Sequence, residues 1–393
     1  MKTIDNIIVY GDPIDEGAMS QIRTTLKTAA RACMMADHHK GYAVPIGGVV
    51  AYKGAASPSG VGYDIGCGNK AVKLNVIAGD IDVPKILDET WGVLSFGIGL
   101  QNAETVEHEL YEDPLWRESE FLRAKGGKML QLARGQLGTI GSGNHYVDIF
   151  EDEDGFVWVG VHFGSRGFGH KTATHFLKQA GAKDGMDVEP CVLPLDSDLG
   201  EQYWKHMELA GRYAYAGRDW VCERVAKIIG GDVVDEVHNH HNFAWKEQHF
   251  GEEYVVVRKG ATPAFPGQRG FVGGSMGDDS VIVEGVESTE SEDIMYSTIH
   301  GAGRVMSRTR AAGKMDYRTR TRKGGEVTEE MMREWIGKKG VHLRGGGCDE
   351  SPHCYKRLDE VLEHHKSTIR VTHRLRPLGV MMAGGNEFDP YRD

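Results

Sequence analysis

The chain has 393 residues, 40% hydrophobic and 26% charged, and its 46 Lys+Arg against 57 Asp+Glu give a formal net charge of −11. This excludes a disordered chain and a small disulfide scaffold, and it argues against sequence-blind coating of nucleic acid while leaving room for a local basic site. The 53 glycines follow no collagen period and point to many tight loops.

In chain order, NIIVY (6–10) predicts a short strand, and residues 19–36 have helical spacing. VPIGGVVAY (44–52) and KAVKLNVI (70–77) predict buried strands with a glycine-rich loop between them. Residues 104–124 predict a charged helix. HYVDIF (145–150) and FVWVGVHF (156–163) predict a hairpin about the turn residues EDEDG. Residues 199–229 predict a long amphipathic helix with Tyr203, Met207, Leu209, Tyr213, Trp220 and Val225. EYVVVRKG (253–260) and SVIVEG (280–285) predict strands, and 327–338 and 356–368 predict helices.

There is no βαβ rhythm, no repeat of 20–50 residues and no Pro/Ser-rich linker. The expectation is one large α+β domain over 1–393. No run of about 18 apolar residues offers a membrane span, and MKTIDNIIVYGDPIDEG turns acidic too early for a signal peptide. Cys33, Cys67, Cys191, Cys222, Cys348 and Cys354 form no CxxC pair, so reduced thiols in a cytoplasmic protein are expected. Residues 304–323 hold eight Lys/Arg and one Asp. That run reads either as an anion or phosphate site or as a solvated loop balancing nearby acids.

Five loops carry chemistry-bearing residues. In GVGYDIGCGNK, Asp64 and Cys67 lie three apart among glycines. Such a pair suits Mn, Fe, Co or Zn, or else the Cys is a buried turn residue. GTIGSGNHYVDI brings Asn144 and His145 to a strand entrance, VHFGSRGFGHKT places His162 before Gly-Ser-Arg-Gly, and HNHHNFAW adds further histidines. A lone His is more often a hydrogen-bonded core residue, but three such loops with Asp64 and Cys67 shift the balance toward metal. In STIHGAGRVMSRTRA, His300 precedes Arg304 and Arg308. A neutral imidazole is a good nucleophile near neutral pH, and arginines hold phosphate oxygens bidentately. With a metal cluster, that suggests phosphoryl or nucleotidyl transfer. The chain has no GxxxxGK[ST], HExxH or GxSxG.

Seven motifs in order, GVGYDIGCG, GSGNH, VHFGSRGFG, HHNFAWKEQHFGEE, RKGA, GGSMG and HGAGRVMSR, resemble the RtcB family of RNA-splicing ligases from about Asp37 to about Val380. The resemblance implies an enzyme that joins RNA ending in a 2′,3′-cyclic phosphate or 3′-phosphate to RNA with a 5′-hydroxyl, using GTP and two Mn²⁺ ions. A histidine, here His300, becomes guanylylated and passes the guanylyl group to the RNA 3′-phosphate. The implied metal ligands are Asp64, Cys67, His145, His162 and His241, with Cys67 bridging. The implied nucleotide contacts are Asn144, Asp148, Asn242, Ser275, Ala302 and Tyr355, and the implied RNA-phosphate arginines are Arg166 and Arg308. The expected fold has mixed and antiparallel sheets flanked by helices around a central metal cleft. The family often relies on a small activating protein, archease.

This sequence departs from the family pattern at several places. Asp148 stands where the family usually has the longer Glu that reads guanine. Met382 falls where the family has a nucleotide-contacting Lys, and a thioether is no ammonium donor. ADHHKGY keeps only Asp37 and His39 of a further motif, and residues 1–35 and 384–393 diverge. Two alternatives therefore stand beside the ligase. One is a nucleotidyltransferase that caps 3′-phosphate ends of RNA or DNA without joining; the other is a non-catalytic, metal-containing RNA-end binder.

Overall fold

A computed structural model describes residues 1–385 except 184, 317 and 320. The architecture is α+β, with two large, mainly antiparallel sheets. The six-stranded sheet runs Lys2–Ile4, Ile7–Val9, Arg31–His39, Ile46–Tyr52, Glu252–Lys259, Asn242–His249. The eight-stranded sheet runs Val233–His240, Gly68–Ile77, Phe156–Phe163, Tyr146–Glu151, Ile369–Gly384, Ser280–Gly285, Arg269–Val272, with His342–Gly346 added in parallel to Ile369–Gly384.

The expected hairpin forms, with Tyr146 opposite His162. The long helix is Asp198–Ile229, started by the Ser197 side chain accepting from Gly200 N–H and ended by Gly230 in the left-handed region at φ 88°. Its Val221, Cys222 and Val225 pack on Val159, Val161 and Phe163 of the eight-stranded sheet. Its N-terminal half, through Tyr203, Met207 and Tyr213, packs with Phe168 and Phe176 of the helix Arg166–Gln179. The sheet thus has a fixed apolar floor, and the ends of its strands are free to carry polar groups.

Three sequence expectations need correction. The helix within 19–36 is Glu16–Thr25, and Arg31–His39 is a strand. Seven consecutive residues of that strand, Ala32–His38, are buried, so the alternation that marks a half-exposed strand is missing. The helix expected over 104–124 starts only at Glu120 and continues to Gln136. Pro114 and the Ser119 cap divide the earlier stretch into the short turns Glu109–Glu112 and Leu115–Glu118. The helix expected over 356–368 shrinks to Leu358–Glu363, and the 16-residue strand Ile369–Gly384 follows it.

The chain crosses from the eight-stranded to the six-stranded sheet at a single residue. Val233–His240 belongs to the first, Asn242–His249 to the second, and His241 lies between them. His241 N–H and Asn242 N–H both donate to Cys67 C=O, at 2.8 and 3.2 Å. This pins the crossover to the start of Gly68–Ile77.

Candidate active site

All fourteen residues singled out as site candidates line one cavity of about 1120 Å³, as does Met382. At its floor, Cys67, His145 and His162 point donor atoms to within 4.8 Å of one another, and all three are buried. Cys67 Sγ lies 3.3 Å from His162 Nε2 and 3.6 Å from His145 Nε2. Asp64 Oδ2 is 3.1 Å from His145 Nε2, and His241 Nε2 is 3.2 Å from His162 Nε2. Each of the five comes from the end of an element: a turn, two strand starts, a strand end and the sheet crossover.

The ring orientations suit a cation. His145 Nδ1 donates to Ile140 C=O at 2.9 Å, and His162 Nδ1 donates to Asn144 C=O at 3.0 Å. The protons are thus held on Nδ1, and both Nε2 lone pairs face the cluster. Burial, then the neighbouring imidazoles, hold His162 and His241 well below the usual histidine range, so both are neutral donors. Burial opposes ionisation of Asp64, but its contact with the His145 ring and the charge of Arg166 bring it down to about 2. Burial and the Asp64 carboxylate hold the Cys67 thiol well above its usual range. A divalent cation is the group that would turn this thiol into a ligand thiolate. One carboxylate, one thiol and three imidazoles fit Mn²⁺, Fe²⁺, Co²⁺ or Zn²⁺. Glycine is required beside this set. A Cβ on Gly164 would fall 2.3 Å from Asp64 Oδ1, and one on Gly141 would fall 2.1 Å from the Arg166 guanidinium.

His300 follows the strand Ser297–Ile299, and its ring centroid lies 4.8 Å from that of His241. Asp37 Oδ2 accepts from His300 Nδ1 at 2.6 Å and from the backbone N–H of His300 and Gly301 at 3.0 and 3.3 Å. Asp37 is fully buried, yet the charge and hydrogen bonds of His300 override burial and keep its carboxyl below the usual range. An ionised carboxylate only accepts, so Nδ1 carries the proton it donates and Nε2 is the ring nitrogen left free of Asp37. Sequence reading noted Asp37 but gave it no role. The pairing spans 263 residues, and only the fold reveals it.

Two arginines flank this centre. Arg166 opens the helix Arg166–Gln179 in the left-handed region, φ 55°, and its Nη1 lies 3.4 Å from His145 Nδ1. Arg308 is held by the buried carboxylates Asp349, at 3.2 Å, and Glu350. Arg304 donates to Tyr355 Oη at 2.9 Å, and Tyr355 donates to Glu350. Lys259, to which sequence reading gave no role, also lines the cavity. Its ammonium donates to Tyr42 C=O and Ser59 C=O, and burial lowers its pKa to about 7.

The remaining candidates form a less cationic end. Asn242 Oδ1 accepts from Gly260 N–H at 2.8 Å, Ser275 Oγ donates to Asp278, and Ala302 is buried. Asp148 is buried, and its Oδ1 has no hydrogen-bond partner. Burial holds its carboxyl well above the usual range, although Met381 N–H pulls the other way. Met382 packs in an apolar cluster with Tyr146 and Met276.

Beneath the metal-seeking residues lies Arg218, which is wholly buried. It donates to Gly66 C=O at 2.9 Å, Phe163 C=O at 2.6 Å, His238 Nε2 at 2.9 Å and His240 Nδ1 at 3.0 Å. Gly66 adjoins Cys67 and Phe163 adjoins His162, so one guanidinium fixes the backbone beside two donors. Arg218→Met is therefore expected to lose about 3–5 kcal/mol of stability and to weaken binding of Co²⁺ measured through its thiolate absorption. Unchanged metal affinity in a folded variant would refute the bracing role. Asp148 gives a pH test. Its raised pKa means the folded state holds a proton that the unfolded chain releases above about pH 4. Stability from this group therefore falls as pH rises. Asp148→Asn is expected to raise Tm, with a gain over the parent that grows from about pH 5 to about pH 8. A gain that does not change with pH would count against it.

The family model described as "tRNA-splicing ligase RtcB" matches residues 19–383. The RNA-splicing ligase RtcB of Escherichia coli strain K12 is 32% identical, with 93% of this chain and 94% of that protein covered. The tRNA-splicing ligase RtcB of Thermococcus kodakarensis is 31% identical, covering 95% of this chain and 93% of that protein. An RNA-splicing ligase RtcB homolog from Entamoeba histolytica is 29% identical, covering 91% and 81%. With its long-range His300–Asp37 pair and its buried Asp64, Cys67 and histidine cluster drawn from the same motifs that carry this likeness, the chain belongs to the RtcB family.

Proposed function

We propose that this protein is an RNA ligase that seals a 2′,3′-cyclic phosphate or 3′-phosphate end to a 5′-hydroxyl end through a guanylylated His300, with GTP as the activating nucleotide and two Mn²⁺ ions held by Asp64, Cys67, His145, His162 and His241. The observation that carries this reading is the Asp37–His300 pair beside the metal-seeking cluster. It fixes the imidazole through Nδ1 on a buried carboxylate and leaves Nε2 as the ring nitrogen not engaged by Asp37, the atom a nucleophilic histidine uses. The bound ions would supply charge neutralisation of the triphosphate, with Cys67 among the residues that would hold them.

The residues divide the work. His300 Nε2 forms a bond to the α-phosphorus of GTP as the bond to pyrophosphate breaks, and Asp37 stabilises the positive charge that builds on the ring. A cyclic end is first opened by water, which breaks the P–O2′ bond, frees the 2′-hydroxyl and leaves a terminal 3′-phosphate; an oxygen of that phosphate takes the guanylyl group as its bond to His300 breaks. The 5′-hydroxyl oxygen then attacks the activated phosphorus and GMP leaves. Arg166 and Arg308 hold the RNA phosphate, with the geometry of Arg308 set by Asp349 and Glu350. The unpartnered Asp148 Oδ1 is offered to the guanine edge, and Tyr355 is a stacking surface for the base.

Incubation with Mn²⁺ and α-labelled GTP is expected to give an acid-labile adduct that His300→Ala abolishes. A 3′-phosphorylated RNA and a 5′-hydroxyl RNA are then expected to yield a joined product. Adduct without joining would favour capping, and no adduct with GTP in metal-loaded protein would overturn the reading. Asp37→Asn removes the charge that fixes the tautomer and is expected to slow adduct formation by about 10²–10⁴-fold. An unchanged rate would show that Asp37 is structural only.

A further inference from the structure

Residues 304–323 carry eight Lys/Arg and one Asp in a chain of net charge −11. The structure divides this run in two. Arg304 and Arg308 belong to the cavity wall and are neutralised there by Glu350 and Asp349. Beyond the short helix Arg308–Ala312 the chain forms a two-stranded ribbon, Lys314–Asp316 against Thr321–Lys323.

Among the described residues, no carboxylate balances the exposed cations of this ribbon. Lys314 and Lys323 are exposed and sit directly opposite each other in the register. Like charges at facing positions destabilise a strand pair. Among the described residues, Lys314, Lys323 and the exposed Arg318 form no ion pair, whereas nearby surface cations do: Arg310 with Glu326, Arg333 with Glu329, Lys338 with Glu334. The ribbon's own carboxylate, Asp316, accepts from Arg318 N–H and Thr319 N–H and so serves the turn. The ribbon is nevertheless anchored beside the cavity. Arg322 donates to Gly313 C=O at 3.1 Å and to Gly385 C=O at 3.3 Å, and Gly385 directly follows the strand that brings Met382 to the cavity wall.

We propose that this ribbon is the docking surface for the sugar–phosphate backbone of the RNA that enters the cavity, with Lys314, Arg318 and Lys323 each meeting a phosphate. The inference rests on the RNA-ligase reading above. A polyanion across the ribbon removes the Lys314–Lys323 repulsion, and unpaired cations lose no protein partner when they bind it. Lysines contacting phosphates carry no base readout, so binding here is independent of sequence.

The test uses the full chain with Lys314, Arg318 and Lys323 all changed to Ala. Affinity for a fluorescent 20-nucleotide RNA ending in a 3′-phosphate is measured over a range of salt concentrations, and the labelled-GTP adduct is measured in parallel. The expected result is an unchanged adduct, at least tenfold weaker RNA binding at low salt, and a salt slope smaller by about 2, at roughly 0.7 per single-strand phosphate contact. A second variant, Lys314→Glu, replaces the like-charged pair with an opposite-charged one. It is expected to keep or raise Tm while weakening RNA binding, which separates charge from ribbon folding. RNA affinity and salt slope unchanged in both variants would overturn the proposal. Failure of the parent to form the adduct would instead strike the ligase reading, because the binding assay reads the ribbon without it.

Discussion

Linking a thiol, a carboxylate and three imidazoles by neighbour contacts of 3.1–3.6 Å in a largely buried pocket is unfavourable unless another interaction replaces the water they lose. Desolvation dominates the titration of this set: it drives two histidines to neutrality and raises the thiol. A site with these properties is poorly suited to holding protons and well suited to holding a cation. The surrounding structure is arranged to meet that constraint. Backbone carbonyls fix two imidazole rings through Nδ1, the Cys67 carbonyl receives the N–H groups of the sheet crossover, and Arg218 ties down the carbonyls beside Cys67 and His162. Each device fixes backbone or ring orientation and leaves the donor atom itself uncommitted.

The same constraint explains why the site lies at a junction of sheets. Strand interiors alternate their side chains across two faces and cannot concentrate five donors on one point. Strand ends can, because each terminus projects one residue past the ladder. His145 precedes a strand, His162 lies near the end of one, Cys67 precedes another, and His241 is the one residue between two sheets. Glycine then makes room: at Gly141 and Gly164 a methyl group would collide with Arg166 and Asp64. The unusual glycine content has part of its cause here, in loops that approach functional groups more closely than any side chain permits.

The sequence was most legible where chemistry and chain order coincide. The long helix, the central hairpin and the strands flanking the glycine loops have strong periodicity or turn residues, and they formed close to their expected bounds. The donor residues were legible because His and Cys beside glycine, repeated in several loops, have little packing rationale. Arg31–His39 was not legible as a strand, because burial on both faces erased its alternation. The strand Ile369–Gly384 was missed because its first half, RVTHRLRP, is charged and contains a proline. Asp37 and Arg218 were illegible as functional groups for a different reason. Their roles depend on partners far away in sequence, Asp37 on His300 and Arg218 on Gly66 and Phe163, and no local pattern encodes such a distance.

Charge is also distributed with a direction. Among the described residues outside the cavity, many surface cations are paired, as Arg310 is with Glu326 and Arg333 with Glu329. Within it, Arg304 and Arg308 are matched to Glu350 and Asp349, and the compensation holds their forks in place instead of leaving them mobile. At the other end, Met382 sits with Tyr146 and Met276 in an apolar wall, and the buried Asp148 lines the same cavity. The cavity thus has a cation-seeking floor, an arginine side and an apolar side with one unpartnered acid. A nucleoside triphosphate has the complementary order: metal-binding phosphates, then a flat apolar base with hydrogen-bonding edges. A methionine in the place of the family's lysine at the base end changes what that edge must offer. On the proposed reading, with Met382 unable to donate, the buried Asp148 carboxyl would discriminate by whether the ligand presents donors that can take over the hydration it lacks.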